Sequence, residues 1–84
     1  MLKAKIFVTL KPGVLDAQGD TVKSALETLG FKRVGDVRVG KFMVVTLDSA
    51  TEEEAAAEVE EMCKRLLVNP VIEDYTFELE GTGA

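Results

Sequence analysis

Histidine and tryptophan are absent from this sequence, cysteine occurs once and proline twice. Without histidine the chain lacks the commonest general base at neutral pH and the commonest transition-metal ligand. The lone Cys63 excludes an intrachain disulfide and the paired-cysteine motif that a metal-carrier domain wants. A small domain without such staples fits a reducing cytoplasm. No hydrophobic run approaches membrane-spanning length. Lys3 and Lys5 interrupt the first apolar stretch and no small-residue cleavage site follows, so no secretory leader is read. Positive charge is scarce: the net charge is −5, which argues against nucleic acid as a partner.

The charge is unevenly placed. Residues 1–41 hold eight basic and four acidic side chains, and residues 42–84 hold two basic and eleven acidic ones. The two halves therefore stand at +4 and −9, which fits either ordinary solvated faces or charge complementarity at an interface. At 84 residues the chain is one domain, expected over 1–80 with a frayed tail at 81–84. Its apolar fraction of 46% is high for a domain with so little interior, which points to burial against another chain.

Residues 3–11 alternate, with Ala4, Ile6, Val8 and Leu10 on one face, and predict a strand ended by Pro12-Gly13. Val22, Ala25, Leu26 and Leu29 predict a helix over 20–29, with Asp20 as N-cap and Gly30 as the left-handed residue after it. Residues 34–48 are rich in valine and read in two ways. One is a pair of antiparallel strands with a tight turn near Val39-Gly40; the other is one long strand bulged at Gly40. Thr51 and Glu54 form a capping box that opens a helix over 52–68, with Ala55, Val59, Met62, Cys63 and Leu66 as its apolar stripe. Asn69-Pro70 stops it, and residues 71–80 alternate as a last strand with Val71, Tyr75, Phe77 and Leu79 on one face.

The order β-α-β-β-α-β, with a single stripe on each helix, predicts an α+β two-layer sandwich. Its ferredoxin-like, four-stranded antiparallel sheet carries both helices on one face. The other face should then be polar, yet Phe7, Phe42 and Val44 fall on it, which predicts self-association through that face.

No constellation able to run a reaction emerges. Lys11-Pro12-Gly13 and Gln18-Gly19-Asp20 are too sparse for a phosphate loop. Cys63 lies on an apolar stripe, as a core thiol does. Glu52, Glu53 and Glu54 point in different directions around a helix and complement its dipole. No catalytic, cofactor or metal residue is assigned. Arg38 and Lys41 flank Gly40, and the trio is either an ordinary charged hairpin tip or a contact for a partner's anions.

Taken together, Lys11 to Asp20 (KPGVLDAQGD), Ala25-Leu26, Leu29-Gly30-Phe31, Val37 to Lys41 (VRVGK) and Leu67 to Tyr75 (LVNPVIEDY) resemble the PurS family of phosphoribosylformylglycinamidine (FGAM) synthase subunits. The resemblance runs from Met1 to about Glu80, with one departure: the family usually has proline where this chain has Ala17. It implies a non-catalytic, oligomeric subunit (a homodimer or homotetramer) in de novo purine synthesis. Such a subunit joins an ATP-dependent synthetase to a glutaminase and supports ammonia transfer between them. ATP, Mg and glutamine would be used by those partners, with no cofactor in this chain. The positions that the resemblance makes partner contacts are Asp16, Gln18, Gly19, Arg38, Gly40, Lys41 and Asn69. Two other readings remain. One is a ligand-binding regulatory module of the ACT-like type, since fold does not dictate function. The other is an enzyme using Lys41 or Tyr75 as a base, although neither has an evident partner to tune it.

Overall fold

Three stretches of the chain alternate strongly enough to form strands, and all three pair. A computed structural model describes residues 1–81. In it β1 (Leu2–Leu10) is central, flanked by β2 (Lys41–Leu47) and β3 (Glu73–Gly81) in the order β2-β1-β3, antiparallel throughout. The pairing sets Ile6 opposite Met43 and Phe77, so one face gathers Ala4, Ile6, Val8, Leu47, Tyr75 and Leu79. Gly81, expected as the first residue of a tail, still pairs with Leu2; the rest of that expected tail, residues 82–84, lies outside the described residues.

Between the first two strands lies α1 (Ala17–Thr28), which starts three residues earlier than expected. Its N-cap is Asp16, whose carboxylate accepts from the Gly19 amide at 2.8 Å; Asp20 sits inside the first turn, favourably to the helix dipole. The helix closes as expected. Gly30 has φ +102, its amide donates to Glu27 O and that of Phe31 to Leu26 O, which is a Schellman closure.

The second helix, α2 (Glu52–Met62), is capped by Thr51, which accepts from the Glu54 amide at 3.1 Å. It does not run regularly to residue 68. From Cys63 to Leu67 the turn widens to i→i+5 spacing, with the Val68 amide bonded to Cys63 O. The wide turn shifts the apolar stripe by one residue. Leu66 is turned out to 82% exposure, while Leu67 packs on the core and Val68 is buried. Val71 is likewise exposed, because it precedes β3. Ala55, Val59 and Cys63 press onto the sheet and are fully buried.

The α+β class, the antiparallel sheet and the two helices match expectation, but the sheet has three strands where four were predicted. Residues 34–40 carry β-forming valines yet pair with no strand, so neither a hairpin nor one long bulged strand is present. Gly40 has no positive φ and makes no tight turn. Of the two helices expected to cover the sheet, α1 does not pack on it. In α1 only Gly19 is buried, and Val22 and Leu29 of its apolar stripe lie in the open. The molecule is accordingly long and thin, 50 × 30 × 14 Å.

Candidate functional site

Three loops meet at the end of the sheet where β1 finishes and β2 and β3 begin. The first is the β1–α1 connection, the second is residues 36–40, and the third is the turn at Asn69. Antiparallel pairing forces the meeting, since Val8 lies opposite Lys41 and Leu10 opposite Glu73.

Asp16 holds the first two loops together. One carboxylate oxygen takes the Gly19 amide and the other takes the Val39 amide, at 2.8 and 2.7 Å. These two amides, with Arg38 nearby, hold its carboxyl below the ordinary value of 3.8. Arg38 crosses in the opposite sense: its guanidinium donates to the carbonyls of Leu10, Lys11 and Val14 at 3.0 to 3.3 Å. The two glycines allow the close approach. A Cβ on Gly19 would run into the Val37 carbonyl, and one on Gly40 into the Val8 carbonyl.

The third loop is tied by charge. Lys41 pairs with Glu73 at 3.2 Å, and Lys11 with Asp74 at 2.8 Å. Glu73 also accepts from the Asn69 amide at 2.7 Å, and the Asn69 side chain accepts from the Val71 amide at 3.1 Å. The Asn69 amide and the Lys41 cation lower the Glu73 carboxyl from 4.5. Six of the seven residues assigned from the sequence are thus parts of one corner. Gln18 sits beside it on the first turn of α1, exposed. Arg38, read from the sequence as part of a charged hairpin tip or as a contact for a partner's anions, is at no hairpin tip and donates to three backbone carbonyls of the same chain. Sequence reasoning missed Lys11, Glu73 and Asp74, whose partners lie up to 63 residues away and leave no local signal.

Two further groups have defined chemistry. Tyr75 donates to Glu60 Oε2 at 2.8 Å, and that bond, with burial, pushes its phenol up to about 12. Burial raises the Cys63 thiol, with Glu60 adding to the effect, so the thiolate a nucleophile needs is disfavoured. Among the described residues no three His, Cys, Asp or Glu side chains gather as a metal site would require, and no helix is long and apolar enough to cross a membrane. The corner is a bracket in which hydrogen bonds and ion pairs tie three loops together. On the sheet face away from α2, Phe7 and Phe42 stack at 5.0 Å beside Val44, all three exposed.

A family model described as PurS, phosphoribosylformylglycinamidine (FGAM) synthase, matches residues 3–81. The chain is 45% identical over 80 residues to the synthase subunit PurS of Methanocaldococcus jannaschii, covering 95% of this chain and 96% of that one. It is 45% identical to the PurS subunit of Bacillus subtilis, covering 95% and 94%. The crystal structure of the M. jannaschii protein superposes with a TM-score of 0.86 over 95% of this chain and 96% of that one. A chain of the PurLQS structure from Thermotoga maritima, 28% identical, superposes with 0.85 over 95% and 99%.

Proposed function

Because the chain belongs to the PurS family of FGAM synthase subunits, which serve purine biosynthesis, we propose that it bridges a synthetase and a glutaminase subunit and supports ammonia transfer between them. The observation that carries this reading is the likeness, over nearly the whole of both chains, to a chain from the PurLQS structure. The physical need is plain. Ammonia released into water is protonated, so two separate active sites need a shielded path, and a small rigid spacer can hold them in register. We assign this chain no catalytic group and no cofactor. ATP, Mg and glutamine belong to the partners, and the complex is cytoplasmic.

We place the partner contact at the bracketed corner, with Asp16, Gln18, Gly19, Arg38, Gly40, Lys41 and Asn69. Arg38, Asp16 and Asn69 contribute by holding the loops in shape. Gln18 and Lys41 are exposed and supply the outward polar surface. We assign self-association, as homodimer or homotetramer, to the apolar sheet face of Phe7, Phe42 and Val44.

Reconstitution tests the reading. The purified chain is mixed with the synthetase and glutaminase from the same source. Glutamine-dependent amidine formation is expected to require the chain, while turnover driven by added ammonia should proceed largely without it. Full glutamine-dependent turnover in its absence would overturn the assignment.

A further inference from the structure

An exposed leucine carries no message by itself, since much of any folded protein's surface is apolar. Two exposed side chains at the bracketed corner differ from that background. Leu15 in the β1–α1 connection and Val71 in the turn at Asn69 are each 78% exposed, and the backbone around each is tied by hydrogen bonds.

Before Leu15, the Val14 amide donates to Lys11 O at 3.1 Å and Val14 O accepts from the Arg38 guanidinium at 3.2 Å. After it, the Asp16 carboxylate accepts from the Gly19 and Val39 amides, and Asp16 O accepts from the Asp20 amide. The Val71 amide donates to the Asn69 side chain at 3.1 Å, and the Ile72 amide to Asn69 O at 3.2 Å. Ile72 O accepts from the Lys11 amide at 2.8 Å, which joins this turn to the end of β1. The two loops are therefore neighbours, and each presents a largely uncovered apolar side chain. A side chain on a backbone already tied down costs less to order when a partner covers it.

The charges at the corner already have partners. Lys11 pairs with Asp74 and Lys41 with Glu73, Arg38 serves three carbonyls, and Asp16 takes two amides. Groups so engaged leave little for a partner's charges, whereas the uncovered apolar side chains gain from leaving water. Interfaces built this way have an apolar centre, poor in charge, inside a polar rim.

We infer that Leu15 and Val71 anchor the partner contact at this corner, and that an apolar pocket on a neighbouring subunit of the synthase, not an anionic patch, receives them. The inference rests on the partner contact proposed above and deepens it. Gln18 and Lys41 form the rim, and the two apolar side chains supply most of the binding. A different subunit is the occupant because both loops are continuous with the residues placed against the partner.

Leu15→Ser and Val71→Ser leave the charge unchanged and remove the apolar surface. Each is titrated into the synthetase and glutaminase from the same source, and the concentration giving half of the maximal glutamine-dependent turnover is read. Each variant is expected to need about tenfold more chain than the wild type. For the wild type, raising salt from about 0.05 to 0.5 M should move that concentration by less than about threefold. Light scattering of each isolated variant should match the wild type. Variants that titrate like the wild type, while turnover still requires the chain, would overturn this inference and leave the bridging role standing. Turnover that needs no chain would remove both. A steep weakening with salt would overturn the inference in favour of an anionic patch. A fall in the mass of either isolated variant would overturn it in favour of a second copy as the cover. Circular dichroism checks folding, and Leu15→Gln and Val71→Thr replace any variant that fails it.

Discussion

At the scale of single residues the chain is held by a few side chains whose partners are distant in sequence. Gly19 and Gly40 are required for space and not for a left-handed backbone, since neither has positive φ. Alanine at either should cost about 1–3 kcal/mol, the usual range for forced overpacking. Gly35→Ala, with nothing within reach of an added Cβ, should be nearly neutral; urea melts of the three variants check this. Two carboxyls and one phenol bound the stable pH range. Asp16 and Glu73 both lie below their ordinary values of 3.8 and 4.5. Their contribution is therefore complete above those values and is lost as pH falls through the lower folded-state ones. Thermal melts between pH 5 and 2 should drop steeply, and less so for Asp16→Asn. Tyr75 has the opposite sign. Its folded value of about 12 lies above the ordinary 10.0, so its contribution holds below pH 10 and fades between 10 and 12. It is the one tyrosine, so phenolate absorbance reads it directly. The absorbance midpoint should lie near 12 in the folded chain and return toward 10 in urea.

At the scale of elements, caps and wide turns decide which side chains count. Thr51→Ala removes the acceptor for the Glu54 amide and should cost about 1 kcal/mol. Leu66 has the apolar side chain of a core residue, but the wide turn after Met62 points it at solvent. Leu66→Ala is accordingly expected within about 0.5 kcal/mol of the wild type. Ile6→Ala, at the fully buried centre of β1, should cost about 2–5 kcal/mol. A loss at Leu66 as large as that at Ile6 would mean that another chain covers it, and dilution would then reduce the loss.

At the scale of the whole molecule the protein is long and thin, with α2 on the sheet and α1 away from it. Phe7, Phe42 and Val44 on the sheet and Leu29 and Phe31 beyond it lie exposed, and the self-association proposed above would cover such surface. Folding and association should then be linked, and the urea midpoint should fall on dilution. In the limit where the free chain does not stay folded, each tenfold dilution removes about 1.4 kcal/mol. A midpoint independent of concentration over two decades would show that the single chain is sufficient.

The sequence alone determined whatever depends on near neighbours. Alternation over 3–11, 42–47 and 71–80 placed the three strands to within two residues, Thr51 and Gly30 placed helix ends, and the motif run from Lys11 to Tyr75 placed the chain among the PurS subunits. Periodicity also marked apolar stripes on α1 and on residues 34–39, but in the folded chain Val22 and Leu29 lie exposed and 34–39 pairs with no strand. What periodicity cannot report is which surface meets a stripe, since burial against the same chain and against another chain writes the same pattern. The tertiary structure alone showed that α1 leaves the sheet, that 34–40 pairs with nothing, and that Arg38 serves three carbonyls 24 to 28 residues back along the chain. The cause is steric and long-range. Asp16 and Gly19 hold the start of α1 against residues 37–39 and Gly40 lies against Val8, and no local pattern records a contact between residues that far apart.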